Sequence, residues 1–257
     1  MTITITGSGT SQGVPVIGCG CSVCNSDNIK DKRLRSSLHI YHKNKSLVID
    51  SGPDFRQQMI TNEIKTLDAV LFTHEHKDHV AGLDDVRPFN FIQKKPIDVY
   101  CNERVFTALK REYHYIFDPK FKYPGIPQIQ RHEITDTNSF WIDDIFIEPI
   151  EVLHYKLPVL GFKINNFAYV TDAKTIHKKE KEKLKNLDVL IINALRIKEH
   201  LSHLNLEEAI ELIEELKPKK AILTHISHLM GKHNIVEKTL PENIQLAYDG
   251  LKINIKQ

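Results

Sequence analysis

Three histidines and an aspartate fall within six consecutive positions, as His74, His76, Asp78 and His79, directly after the apolar run Val70-Leu-Phe. Neutral imidazoles and carboxylates suit zinc, manganese or iron(II), so the residue types point to metal chemistry without choosing the ion. In an extended chain alternate side chains share a face, which places His74 and His76 together, with Asp78 and His79 beyond the next turn. Two imidazoles on one side, with a carboxylate and a third imidazole just past them, meet the needs of two adjacent divalent ions. Ions about 3.5 to 4 Å apart can hold a bridging water and lower its pKa from about 15.7 toward 7, giving a hydroxide nucleophile at neutral pH.

Further ligand types stand at the ends of other apolar runs: His154 closes 145–154, Asp172 closes 167–172 and His225 closes 220–225. A separate cluster, Cys19, Cys21 and Cys24, holds three of the four cysteines. A disulfide framework would disperse them, and the C-x-C-x-x-C spacing reads as a zinc site or a redox pair. Cys101 follows an apolar run and reads as a small buried hydrophobe.

The elements that must position these groups follow from the pattern. Residues 2–6 alternate with period two, and a Gly-rich turn at 7–13 ends the strand. No helix is expected directly after that turn, so it is not read as a nucleotide loop. A hairpin is expected from 37–41 and 45–50, a helix at 56–64, and a strand at 67–73 that feeds the histidines. A short helical turn is expected from Asp84 to Pro88, a strand at 96–101 and helical character at 103–115. Residues 117–127 are rich in aromatics, proline and lysine, and the insertion at about 103–130 that holds them is either a lid or recognition element or an appendage packed down by its aromatics. Strands return at 140–142, 145–154, 160–164 and 167–172, then a charged helix at 174–187 and a strand at 188–193. The helix at 204–217 carries Asn205 as N-cap, Glu208 reaching back, and an apolar face of Leu206, Ala209, Ile210, Ile213 and Leu216. Asp249-Gly250 reads as the turn of a final hairpin. Asp50, after a strand, either orients the ligand loop or caps a turn.

A chain of 257 residues can bury roughly 70 to 75% of its unfolded surface, enough for a large core without external staples. Its 35 Lys and Arg nearly balance 33 Asp and Glu, which argues against a bulk electrostatic partnership with nucleic acid or membrane. The basic segment 30–35 reads as a solvated loop. No basic leader precedes a long apolar segment, so a cytoplasmic protein is expected. Without a low-complexity linker or tight repeat, residues 1–257 are expected to form one domain. The alternation of strand runs and helices predicts an α/β fold, an αββα sandwich of two similar halves.

Thr73-His-Glu-His-Lys-Asp-His79, Val152-Leu-His154, Tyr169-Val-Thr-Asp172 and Leu223-Thr-His225 resemble the metallo-β-lactamase superfamily in order and spacing over essentially the whole chain. The resemblance implies a first metal on His74, His76 and His154, a second on Asp78, His79 and His225, and Asp172 bridging them. Zinc or manganese, with iron as a further option, would fill the pair. An aspartate at 172, where true β-lactamases commonly place cysteine, points to the phosphoesterase, thioesterase or lactonase side. Gly7-Ser-Gly-Thr-Ser-Gln-Gly-Val-Pro15, Gly18-Cys-Gly-Cys-Ser-Val-Cys24, Arg33-Leu-Arg-Ser-Ser37 and Leu223-Thr-His-Ile-Ser-His228 narrow the likeness to PhnP-type cyclic phosphodiesterases. That likeness implies a structural zinc on Cys19, Cys21, Cys24 and His228, with His233 a neighbouring alternative. It also implies His203 as phosphate binder or proton donor to the leaving oxygen, with His200 beside it, and Asp78 orienting the nucleophile. The implied activity is metal-dependent hydrolysis of a small cyclic or nucleotide-like phosphodiester. Alternatives are a ribonuclease Z-like nuclease, a thioester or lactone hydrolase, and a non-catalytic PqqB-like accessory protein. The expected partner is the small substrate. A homodimer is compatible with this reading, nucleic acid is the runner-up ligand, and no membrane partner is expected.

Overall fold

The computed structural model describes residues 1–121 and 123–255. Its first half contains β1 (Thr2–Gly7), β2 (Ser37–His42), β3 (Lys45–Ile49), α1 (Phe55–Thr61), β4 (Ala69–Leu71) and α2 (Lys77–Val80). It continues through α3 (Arg87–Gln93), β5 (Ile97–Cys101), α4 (Glu103–Glu112), α5 (His114–Phe117) and β6 (Ile129–Glu133). The second half contains β7 (Phe140–Ile142), β8 (Ile145–His154), β9 (Leu157–Ile164), β10 (Phe167–Val170), α6 (Lys178–Lys183) and β11 (Val189–Asn193). There follow α7 (Leu206–Leu216), β12 (Lys220–Thr224), α8 (His233–Val236), β13 (Ile244–Leu246) and β14 (Lys252–Asn254). The strands form two sheets, ordered β14-β1-β2-β3-β4-β5-β6 and β13-β12-β11-β10-β9-β8-β7. In each, an antiparallel set gives way to a parallel set, β3 through β6 in the first and β10 through β13 in the second.

Period-two alternation divides the apolar residues among three layers. In β11, Val189 and Ile191 join Ile3, Ile5, Leu38, Leu160 and Phe162 between the sheets. Leu190 and Ile192 face the other way, against Ala209, Ile213 and Leu216 of α7. On the outside of the first sheet, Val70 and Val99 pack with Phe55, Met59, Phe89, Val105 and Leu109. Each element is therefore apolar where it meets a neighbour, and the result is the expected αββα sandwich.

The Asn205–Glu208 capping box is present, with Glu208 N–H on Asn205 Oδ1 at 2.9 Å and Asn205 N–H on Glu208 Oε2 at 2.9 Å. The short helical turn expected before Pro88 is present at Leu83–Val86, and Pro88 itself lies in the first turn of α3, where its missing N–H has no helical partner to lose. Other local expectations yield to tertiary contacts. The helix expected at 174–187 is confined to α6, because Lys174 and Thr175 N–H groups both bond the Leu153 carbonyl and hold this stretch against β8. Asp249-Gly250 does not turn a hairpin: β13 pairs with β12 and β14 with β1, so the chain crosses between sheets there. The 30–35 segment is not simply a solvated loop. Arg33 is buried, its Nη1 donating to Ser8 Oγ at 2.9 Å and its Nη2 meeting His233 Nδ1 at 3.2 Å. Among the described residues no helix is long and apolar enough to cross a membrane.

Candidate metal centre

The parallel registers Ile49↔Leu71, Val170↔Ile192 and Asn193↔Thr224 bring the carboxyl ends of neighbouring strands level. Asp50 directly follows β3, His74 lies three residues past β4, Asp172 two past β10 and His225 one past β12. His154 is the last residue of β8, which runs in the same direction as β10 because both are antiparallel to β9. Asp78 and His79 lie within the short α2. These ends meet at one rim of the sandwich, where open α/β sheets commonly hold their ligands.

Six imidazoles form a closed circuit there. Ring centroids are 4.6 Å apart for His76 and His74, 4.2 Å for His74 and His79, and 5.8 Å for His79 and His225. The circuit continues at 4.9 Å from His225 to His203, 4.4 Å from His203 to His154, and 5.2 Å from His154 back to His76. Asp172 Oδ2 lies 3.3 Å from both His79 Nε2 and His225 Nδ1, and its Oδ1 lies 3.8 Å from His203 Nδ1. Asp78 Oδ2 is 3.2 Å from His79 Nε2.

An outer set of contacts fixes the rings. Asp50 Oδ2 accepts from His79 Nδ1 at 2.7 Å and from Thr73 Oγ1 at 2.8 Å, while Oδ1 accepts the Thr73 N–H at 2.9 Å. His154 Nδ1 donates to the Ser202 carbonyl at 2.8 Å. Ser36 Oγ is 3.0 Å from His225 Nδ1, and Thr10 Oγ1 is 3.2 Å from its Nε2. Asn193 bonds both backbone groups of Ala173, at 2.7 and 2.9 Å, and so anchors the residue after Asp172. Asp50, Asp172 and His225 all have left-handed backbone, with φ of 64°, 57° and 55°. Such conformations persist where surrounding contacts determine them, and they cluster at functional sites. Gly52 is required by close approach: a Cβ there would stand 2.1 Å from the Asp78 carbonyl oxygen.

Electrostatics separates the rings. Burial, followed by the charge of His79, holds His74 well below the usual histidine range. Burial also opposes protonation of His79, but the carboxylates of Asp78, Asp172 and Asp50 together raise it well above that range. Burial pushes His203 down to about 3, with His225 adding to the effect, so it is a neutral ring at pH 7. Burial would raise Asp172, yet His225 and His79 hold it well below the usual carboxylate range.

The donor set fits divalent ions. His74 Nε2 and His203 Nδ1 are buried without a hydrogen-bond partner, and His79 Nε2 faces the carboxylates of both Asp78 and Asp172; polar groups so placed call for an ion or a ligand between them. Among the described residues of this rim, three groups have ligand atoms within 4.8 Å of one another: His74 with His79 and Asp172, Asp78 with His79 and His225, and His154 with Asp172 and His203. The second matches the expected second-metal trio. His74, His76 and His154 are neighbours through their rings, but His76 joins none of the three tight groups, and His203 enters one. His200 lies outside the circuit, 5.2 Å from His203, and bonds Ser202.

The sulfur cluster is separate. Cys19, Cys21 and Cys24 Sγ lie 3.3, 3.5 and 3.5 Å from His228 Nδ1. A zinc tetrahedron with legs of about 2.0 to 2.3 Å has edges of about 3.6 Å, so these four side chains fit that ion. The Cys24 N–H and His228 bring the Cys21 thiol down to about 6, whereas burial pushes the Cys24 thiol up to about 11. His233 is engaged elsewhere, by Arg33 and by Asp31, whose Oδ1 accepts its backbone N–H at 2.7 Å. Cys101 is fully buried, and burial raises its thiol to about 12.

In the 103–130 segment, Phe106, Tyr113, Tyr115, Ile116 and Phe117 pack on the outer core of the first sheet, and Tyr113 donates to the Val80 carbonyl at 2.8 Å. Phe121 and Tyr123 are exposed, and Lys122 lies outside the described residues. Arg104 joins this segment to the histidine loop through Glu75, at 3.0 Å. Asn193, Gly52 and Arg33 were absent from the expected site, since an Asn ending a strand, a Gly before Pro and an Arg in a basic run each have commoner local explanations.

A histidine and aspartate rim at the strand ends of an αββα sandwich is a candidate metal centre on the metallo-β-lactamase fold. The chain belongs to the beta-lactamase superfamily, whose domain matches residues 45–226, and within it to the PhnP family. The crystal structure of a diphosphatase from the PhnP family superposes with a TM-score of 0.91 at 38% identity, covering 98% of this chain and 96% of that one. A Porphyromonas gingivalis protein named octanoyltransferase is 42% identical over 253 residues, and the match covers 98% of this chain but 51% of that relative. This chain therefore spans about half the length of that protein. Zinc-bound PqqB from Methylobacterium extorquens shares the fold, with a TM-score of 0.83 at 18% identity, covering 99% of this chain and all of that one.

Proposed function

We propose that this protein is a metal-dependent phosphodiesterase acting on a small cyclic or nucleotide-like phosphodiester. The observation that carries the reading is the closed circuit of six histidines around Asp172, with Asp78 beside His79. The full-length likeness to a PhnP-family diphosphatase supports a phosphate ester as substrate. His74, His76, Asp78, His79, His154, Asp172 and His225 would hold two ions, zinc, manganese or iron. When bound, such ions supply Lewis-acid polarisation and a water acidified for attack.

The chain's own groups set up the reaction. Asp50 keeps the His79 proton on Nδ1 and leaves Nε2 facing the centre. The Ser202 carbonyl does the same for His154. Asp78, with one oxygen toward His79, orients the attacking group. His203, neutral and buried between His154 and His225, presents a nitrogen to a phosphate oxygen. It can donate a hydrogen bond to the departing oxygen as that oxygen gains charge. A structural zinc on Cys19, Cys21, Cys24 and His228 would fix the N-terminal loop.

The test uses purified protein loaded with manganese or zinc. Ribose and nucleoside cyclic phosphates, dinucleoside diphosphates and single-stranded DNA form the panel. Cleavage of at least one small ester is expected, and inactivity on all of them at full metal occupancy overturns the reading. A second reading, hydrolysis of an acyl thioester at the same centre, is favoured by the relative named for octanoyl transfer. An octanoyl thioester therefore belongs in the panel.

A further inference from the structure

We infer that the turn joining β8 to β9, Tyr155-Lys156, forms with Leu201 a subsite for the heterocyclic base of a nucleoside phosphate. The inference rests on the phosphoester reading above and names the ligand class that this side of the centre takes.

The first observation is an exposed aromatic residue on left-handed turn backbone. Four two-residue hairpin turns join consecutive strands here. The β2–β3 turn has Lys43 and Asn44 at φ 48° and 60°, the β7–β8 turn begins with Asp143 at 49°, and the β9–β10 turn with Asn165 at 53°. Each includes an Asn or Asp, the non-glycine residues that best tolerate left-handed backbone. The β8–β9 turn alone has neither, and puts Tyr155 at φ 57°. A bulky aromatic is disfavoured there, and it gains little from burial, because Tyr155 remains 49% exposed. Its ring is approached by Lys156 Nζ, 5.3 Å from the centroid. Neither turn formation nor core packing accounts for this residue.

The second observation is where the turn lies. It follows His154 immediately and lines an open groove of about 570 Å³ whose other walls include His76, Leu201 and Ser202. Ser202 is tied to His154 through its carbonyl, so the 201–202 wall is held in place relative to the ligand ring. Leu201 is 69% exposed on this wall. An exposed aromatic ring and an exposed leucine bordering one groove suit a flat heterocycle, because every base offers a π-face for stacking. The Lys156 charge suits a ligand that carries phosphate. An ester reacting at the histidine circuit would thus keep its base in the groove next to His76 and His154.

Tyr155→Gly tests this without disturbing the turn, since glycine adopts the observed φ freely. Adenosine 2′,3′-cyclic phosphate and ribose 2,3-cyclic phosphate carry the same reacting ester with and without a base. In the metal-loaded wild type kcat/KM should favour the adenosine compound. Tyr155→Gly should lower that preference at least tenfold, mainly through KM, and Tyr155→Phe should restore it. Calorimetry with AMP and inorganic phosphate gives a readout independent of turnover: Tyr155→Gly should weaken AMP at least tenfold relative to phosphate. The thermal midpoint should be unchanged or higher. A preference unaltered by Tyr155→Gly overturns the inference while leaving the phosphodiesterase reading intact. So does a variant that instead loses activity on an octanoyl thioester, which would make the groove an acyl site. If the wild type cleaves neither ester, the phosphodiesterase reading fails for this class, and AMP binding still decides the subsite.

Discussion

Asp50→Asn should weaken divalent-metal binding 10- to 100-fold. Asp50 is fully buried and uses both oxygens, Oδ1 on the Thr73 N–H and Oδ2 on Thr73 Oγ1 and His79 Nδ1. An asparagine must put its NH₂ in one of these places. Facing Thr73 N–H, it sets donor against donor. Facing His79, it is satisfied only if the ring moves its proton to Nε2, the nitrogen 3.2 Å from Asp78 and 3.3 Å from Asp172. That tautomer points a proton where an ion needs a lone pair. Loss of such an outer partner typically costs 10- to 100-fold in metal affinity, or about 1.4 to 2.8 kcal/mol. The backbone provides the internal control, because asparagine accepts the φ of 64° at least as well as aspartate. Removing the Asp50 charge relieves its own desolvation cost but takes away one of the three carboxylates that face the buried His79, so the metal-free fold should lose stability as well. Competition against a chromophoric chelator measures the affinity, and thermal unfolding of the metal-free proteins measures the fold. Affinity within twofold of wild type, with the fold intact, would refute the tautomer reasoning.

Three further perturbations probe other parts of the molecule. Cys21→Ser should remove one zinc equivalent and speed proteolysis around residues 16–28; structural zinc sites of this type contribute on the order of 10 kcal/mol to local order, and metal content by mass spectrometry checks the loss. Gly52→Ala places a methyl 2.1 Å from the Asp78 carbonyl oxygen, so α2 must move; about a 100-fold fall in kcat/KM and 1 to 3 kcal/mol of destabilisation are expected from kinetics and urea melts. His233 is held down to about 4 by burial and then by Arg33, below its unfolded value of about 6.5. Its stabilising contribution is therefore complete above pH 6.5 and is lost as pH falls through 4, at up to about 1.4 kcal/mol per pH unit. His233→Gln keeps an acceptor for Arg33 and should flatten the acid limb of a stability profile measured from pH 7 to 4; an unchanged slope would exclude this group as a source.

How much of this was legible in the sequence depended on whether the signal was local. The histidine loop, the strand-end positions of His154, Asp172 and His225, and the Asn205–Glu208 cap are short-range patterns, and the structure places them as the periodicity suggested. Asp249-Gly250 has a local turn signal, but the sheet that receives the next strand is chosen by pairing with β1, more than 200 residues away. Arg33 sits in a run of positive charge that reads as solvated. Its burial depends on Ser8 and the Ala247 carbonyl, which no nearby residue announces. The surroundings of His228 and His233 are likewise made by distant partners, the three thiols for one and Arg33 with Asp31 for the other.

The same long-range contacts explain why an N-terminal segment without ligands of the histidine circuit bears on that circuit. His225 is held by two hydroxyls, Thr10 Oγ1 and Ser36 Oγ, both from the first forty residues. Thr10 stays in place because its N–H bonds the Ile226 carbonyl at 3.1 Å while the Ile226 N–H returns to Ser8 at 2.9 Å. Ser36 is fixed by donating to the Gly9 carbonyl at 2.9 Å. The loop carrying Ser8 and Thr10 is in turn bounded by the buried Arg33 and by the sulfur cluster, whose fourth member, His228, is three residues beyond His225. A metal at Cys19, Cys21, Cys24 and His228 would therefore clamp both sides of the strand end that presents His225. Losing it should be felt at the histidine circuit first through His225, and only later through His74 or His154, which are fixed by Thr73 and Ser202.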